Sequence, residues 1–188
     1  MTVSEDDLAV IERQLSRRPR GVLDVAYRCP DGSPGVVMTS PRLPDGTPFP
    51  TLYYLTDPRL TATAGRFESV GAMAVLAQAL AANEDFAAQY RRAHQAYLAK
   101  RAEAASIAGC GGLDGDFSAG GMPDRVKCLH ALIGHSLAEG PGLNPVGDVA
   151  VALGVRVWGE RQKGAWPTQW PPLSSWPDLE EQLVAAHA

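Results

Sequence analysis

The chain has 188 residues, 45% of them hydrophobic and 20% charged, an ordinary globular balance in a length that suits one domain. Seventeen Lys and Arg against twenty-one Asp and Glu give a formal charge of −4, which argues against a nucleic-acid protein held by clustered surface cations. No apolar run approaches the roughly 20 residues of a membrane span, and the acidic start Met1-Thr2-Val3-Ser4-Glu5-Asp6-Asp7 lacks the order of a signal peptide, so a soluble cytoplasmic protein is expected.

Ser4 is placed to cap a first helix running to about Arg17, with Leu8, Ile11 and Leu15 on one face. Leu23, Val25, Tyr27 and Cys29 then alternate with Asp24, Ala26 and Arg28, the period of a half-buried strand. Turn chemistry at Pro30-Asp31-Gly32-Ser33-Pro34-Gly35 leads into Val36-Val37-Met38-Thr39 as a return strand. After a turn at Pro44-Asp45-Gly46, Thr51-Leu52-Tyr53-Tyr54-Leu55-Thr56 completes three antiparallel strands.

From Asp57-Pro58 the period becomes helical, with Leu60, Ala64, Phe67, Gly71 and Ala74 on one face. Asn83 caps the next helix, whose stripe is Phe86, Tyr90, Ala93, Tyr97 and Ala104 and whose charged face is ordinary solvated surface. Residues 109–121 hold six glycines in thirteen positions. Pro123 then opens a helix to about Glu139, stopped by Gly140-Pro141-Gly142, and a shorter helix runs from Pro145 to Leu153. All four tryptophans follow, three of them before proline, which favours an extended strap and a short last helix from Asp178. The expected class is α+β: a small antiparallel three-stranded sheet near the N-terminus, a helical bundle, and an extended Trp/Pro-rich C-terminal strap. One domain over 1–154 and an extension over 155–188 are expected. The tail serves either as packing for the chain's own core or as a docking segment for a protein partner.

Phosphate-loop, zinc-helix and nucleophile-elbow signatures are missing. Attention falls on three cysteines, an odd count that points to metal, catalysis or plain burial rather than disulfides. Cys29 ends a strand before proline, Cys110 sits among glycines, and Cys128 falls one to two turns into the helix expected from Pro123. One thiol from each of three segments suits an iron–sulfur cluster, 4Fe-4S in first place, or zinc; three buried thiols and no metal is the plain alternative.

Asp124 and Cys128, four apart, share a face of that helix, and Arg125 and Lys127 place cations near the thiol, which would lower its pKa. The glycine loop and helix start suit an anion. His130, two residues on, falls about 200° from Cys128 on a helix, and His135 lies roughly 10 Å along the axis, so neither reaches the thiol directly. His94 borders a buried stripe, and His187 is terminal.

Three stretches go further: Ala26-Tyr27-Arg28-Cys29-Pro30-Asp31-Gly32, the run from Pro41-Arg42-Leu43-Pro44-Asp45-Gly46 to Thr51-Leu52-Tyr53-Tyr54-Leu55-Thr56, and Gly120-Gly121-Met122-Pro123-Asp124-Arg125-Val126-Lys127-Cys128-Leu129-His130. Together they resemble the actinobacterial domain-of-unknown-function family 501, from about Asp6 to Leu153. The resemblance implies no reaction. It implies gene neighbours (enolase, a septum-formation initiator, an exopolyphosphatase) and hence a link to division or phosphate metabolism by association.

Three functions follow as expectations. The first is a cytoplasmic metal centre on Cys29, Cys110 and Cys128 with an open position for a small anionic substrate. In it Arg28 and Arg125 bind the substrate, and Asp124, Lys127 and His130 carry its catalysis. The second is a metal-free interaction protein of division or the envelope. The third is a thiol enzyme with Cys128 as nucleophile and His130 or His135 as base, which the helical spacing disfavours.

Overall fold

The computed structural model describes residues 3–171 and 177–185. Its elements are α1 (Glu5–Leu15), β1 (Val22–Arg28), β2 (Pro34–Thr39), β3 (Tyr53–Leu55), α2 (Pro58–Ser69), α3 (Ala72–Ala82), α4 (Glu84–Ala108), α5 (Leu129–Glu139), α6 (Pro145–Trp158) and α7 (Pro177–Ala185), an α+β arrangement. No helix among the described residues is long and apolar enough to cross a membrane.

The start signals act as their chemistry dictates. Ser4 Oγ accepts the Asp7 amide at 3.1 Å, and Asp57 accepts the amides of Arg59 and Leu60 beside Pro58 at the start of α2. The three strands pair antiparallel in the order β1-β2-β3, with Val37 facing Val25 on one side and Tyr54 on the other. The middle strand β2 is buried at every residue but Met38. The run expected to continue helically past Phe67 breaks at Gly71 (φ +87°), a left-handed conformation that suits glycine, and α3 restarts at Ala72.

The larger correction concerns residues 123–128. No helix starts at Pro123. The Lys127 amide donates to Gly120 O at 2.7 Å and the Arg125 amide to Gly121 O at 2.9 Å, closing a compact loop. Gly121 (φ +99°) is required there, because a Cβ would lie 2.5 Å from the Arg125 carbonyl oxygen. The helix begins at Leu129, and Cys128 is its N-cap in extended conformation (φ −157°, ψ 110°).

α5 is the central post, lying against β3, α2 and α6. It tolerates close neighbours because small residues meet it. A Cβ on Gly147 of α6 would stand 2.2 Å from Leu132 O, and one on Gly134 of α5 itself 3.1 Å from Tyr53 O. α6 runs to Trp158, so the domain boundary expected at 154 falls inside a helix. Beyond it, the Trp166 ring is buried where Gly154 leaves space, and its Nε1–H donates to Gln162 Oε1 at 2.8 Å. Trp170 donates to Asp148 O at 3.2 Å. Arg59 ties the segment down, pairing with Asp31 and Asp57 at 2.7 Å and donating to Lys163 O at 3.0 Å. Residues 172–176, including Trp176, and His187 lie outside the described residues.

Candidate functional site

The N-terminus of α5 presents the thiol. Since Cys128 precedes the helix, the 200° separation computed for a helical pair does not apply, and its sulfur and the His130 ring face one another. The third member arrives from the far end of α2. Glu68 Oε1 accepts the Leu129 amide at 2.7 Å and lies 3.1 Å from His130 Nδ1. The Cys128 sulfur, a His130 ring nitrogen and a Glu68 carboxylate oxygen all stand within 4.8 Å of one another. Cys128 offers no side-chain cap of its own, so Glu68 fills that need from another helix.

The electrostatics follow from this grouping. Interaction with His130 lowers the Cys128 thiol below its usual value against the opposing effect of burial, and the Ala131 amide at the helix start adds to it. His130 moves the other way, raised to about 9 by Cys128 first and by Glu68 next, against burial. The two shifts share one cause, since a negative charge on the sulfur and a positive charge on the ring stabilise one another. Both side chains line a cavity of about 260 Å³ whose other walls are Thr51, Tyr53, Tyr54, Leu55, Thr61 and Ala131, all uncharged.

The remaining expected site residues lie elsewhere. Cys29 is 2% exposed, its thiol 3.7 Å from Asp57 Oδ2. Burial, with Asp57 adding, pushes that thiol up to about 12. Cys110 is half-buried, 3.5 Å from Ser40 Oγ. The three cysteines thus have three different surroundings; among the described residues the one close group of potential metal ligands is Glu68, Cys128 and His130. Arg28 is engaged by Asp7 through two bonds of 2.8 and 2.7 Å. Asp124, Arg125 and Lys127 are exposed on the loop before Cys128 and do not line its cavity. In the glycine loop, Arg42 donates to the carbonyls of Gly111 (3.2 Å) and Gly112 (3.1 Å).

Among the described residues, the two other histidines are packed. His94 is 3% exposed with Nδ1 at 2.9 Å from Ser118 Oγ, and His135 is fully buried. Of the expected residues, the structure brings together Cys128 and His130. Glu68 escapes a reading of the sequence because an acid at a helix end is ordinary, and only the packing of α2 on α5 carries it across about sixty positions. The Thr51 to Leu55 wall is visible in the sequence as a strand, though nothing there marks it as the wall of a cavity.

The profile of a family described as "Protein of unknown function (DUF501)" matches residues 25–152, a span that contains Glu68, Cys128 and His130. No curated protein and no solved structure matches the chain.

Proposed function

The chain belongs to the family described as protein of unknown function (DUF501), and from the site inside the matched region we propose that it is a thiol-dependent acyl-transfer enzyme acting on a small uncharged carbonyl compound. Cys128 is the nucleophile, His130 the acid and base, and Glu68 the group that orients the ring. The carrying observation is the Glu68 carboxylate 3.1 Å from His130 Nδ1, with the Cys128 sulfur beside the same ring at the start of α5. An acid holding one ring nitrogen while the thiol adjoins the imidazole is the arrangement a covalent mechanism requires.

The Cys128 thiolate attacks the carbonyl carbon, and the leaving group departs with the proton that His130 carries. The resulting thioester is cleaved by water. His130 takes a proton from that water, the carboxylic acid leaves, and the thiolate–imidazolium pair is restored. The uncharged cavity walls favour a neutral substrate over the anionic one expected from Arg28 and Arg125. An iron–sulfur cluster on Cys29, Cys110 and Cys128 has no comparable grouping of sulfurs behind it.

Alkylation with iodoacetamide at neutral pH, followed by peptide mapping, tests the nucleophile. Cys128 is expected to react about tenfold faster than Cys110, Cys29 to stay protected until unfolding, and His130→Gln to slow Cys128 by about tenfold. A small neutral activated ester should leave one acyl group on Cys128. Cys128 reacting no faster in the fold than in urea overturns the proposal.

A further inference from the structure

We propose that Glu68, Cys128 and His130 also form a site for one zinc-class divalent cation, and that filling it switches the thiol off. The switching half rests on the thiol reading above; the binding half does not.

Three residues supply three donor types, a thiolate sulfur, an imidazole nitrogen and a carboxylate oxygen, already within 4.8 Å of one another. Zinc bonds of about 2.3 Å to sulfur and 2.0–2.2 Å to nitrogen and oxygen put tetrahedral ligand atoms roughly 3.3–3.8 Å apart, so closing the set takes movements of about 1 Å. Those movements are side-chain rotations, since the donors stand on the end of α2, the cap of α5 and the first turn of α5. Glu68 Oε1 can keep the Leu129 amide, while a cation between Glu68 and the ring would replace the contact of that carboxylate with His130 Nδ1. A thiolate paired with an imidazole selects zinc over magnesium or calcium, which prefer oxygen alone. The cavity that Cys128 and His130 line offers no further histidine, cysteine or carboxylate, so the fourth ligand is left to water or to a bound molecule. A metal there takes the sulfur lone pair that would attack a carbonyl and the ring nitrogen that would carry the proton.

The test uses the full reduced chain freed of metal, titrated with Zn²⁺ by calorimetry and with Co²⁺ by absorbance, beside the alkylation rate of Cys128 with and without Zn²⁺. One equivalent should bind, and Co²⁺ should give the charge-transfer band of a thiolate ligand. Cys128→Ser and His130→Ala should each weaken zinc by at least about tenfold, and Cys110→Ser should leave it unchanged. Glu68→Gln keeps an acceptor for the Leu129 amide and should weaken zinc about tenfold with the fold intact by circular dichroism. Zinc should slow alkylation of Cys128 at least about tenfold, and a chelator should restore it. Failure to bind, or binding that survives Cys128→Ser, overturns the site. Fast alkylation that zinc leaves untouched overturns the switch while sparing the thiol reading. Tight zinc binding to a chain whose metal-free Cys128 is sluggish supports the site and sinks the thiol reading.

Discussion

His135 shows how one side chain sets a pH limit on the fold. It is fully buried, stacked on Tyr53 at 5.7 Å and meeting Tyr97 edge-on at 5.1 Å. Asn144 fixes its tautomer. The Asn144 side-chain oxygen accepts the Gly147 amide at 3.1 Å, so its NH2 group faces His135 Nδ1 at 3.2 Å and donates to it. The ring is therefore neutral, and burial pulls its pKa down to about 4. An unfolded histidine titrates near 6.5, so as pH falls below that value the unfolded chain takes up a proton the fold refuses. Stability is full above about pH 6.5 and falls between there and about pH 4, by at most about 3 kcal/mol. Urea midpoints over that range should show this slope, and His135→Gln should reduce it. A second prediction concerns Glu68. Removing its acceptor in Glu68→Ala should cost about 1 kcal/mol of stability, as losing a helix cap does, whereas Glu68→Gln should cost a fraction of that. Thermal unfolding of the two variants at equal concentration decides it.

Among the elements, the α5–α6 crossing is the tightest joint. Gly147→Ala would place a methyl group 2.2 Å from Leu132 O and 2.4 Å from Ser136 Oγ. Backbone yields poorly, so a loss of about 1–3 kcal/mol is expected in urea unfolding; an unchanged midpoint would show that the crossing opens freely. The sequence announces most elements because their periods are local. The Ser4, Asp57 and Asn83 starts sit where side-chain chemistry predicts, as do the three strands, whereas the Asn144 cap of α6 is supplied by the structure. It misplaces the start of α5 by about two turns. Pro123 is an acceptable first helical residue, but the amides that would build a helix there donate instead to Gly120 and Gly121. That displacement decides the site. With Cys128 inside a helix, His130 points away; with Cys128 as cap, the two side chains meet.

At the scale of the whole molecule, the C-terminal segment belongs to the same body as the sheet and helices. The family match ends at residue 152, partway along α6, yet Trp166 fills the space over Gly154 and Arg59 reaches Lys163. Trp166→Ala should cost about 3–5 kcal/mol, measured by chemical denaturation, and a loss under 1 kcal/mol would show the segment to be an accessory. The tryptophans themselves were legible as packing or docking residues, and two of them, Trp166 and Trp170, bond to their own chain. What no local pattern could supply is the meeting of α2 with α5, which depends on how the faces of distant helices pack once the core has formed.

That meeting couples alignment to folding. The carboxylate that steadies His130 is the same one that closes the first turn of α5, so a swing of Glu68 away from the imidazole also strips an amide of its partner. Fraying would then accompany every misaligned state. Correct aim is thus bought during collapse of the polypeptide, and a visiting molecule finds the apparatus already set.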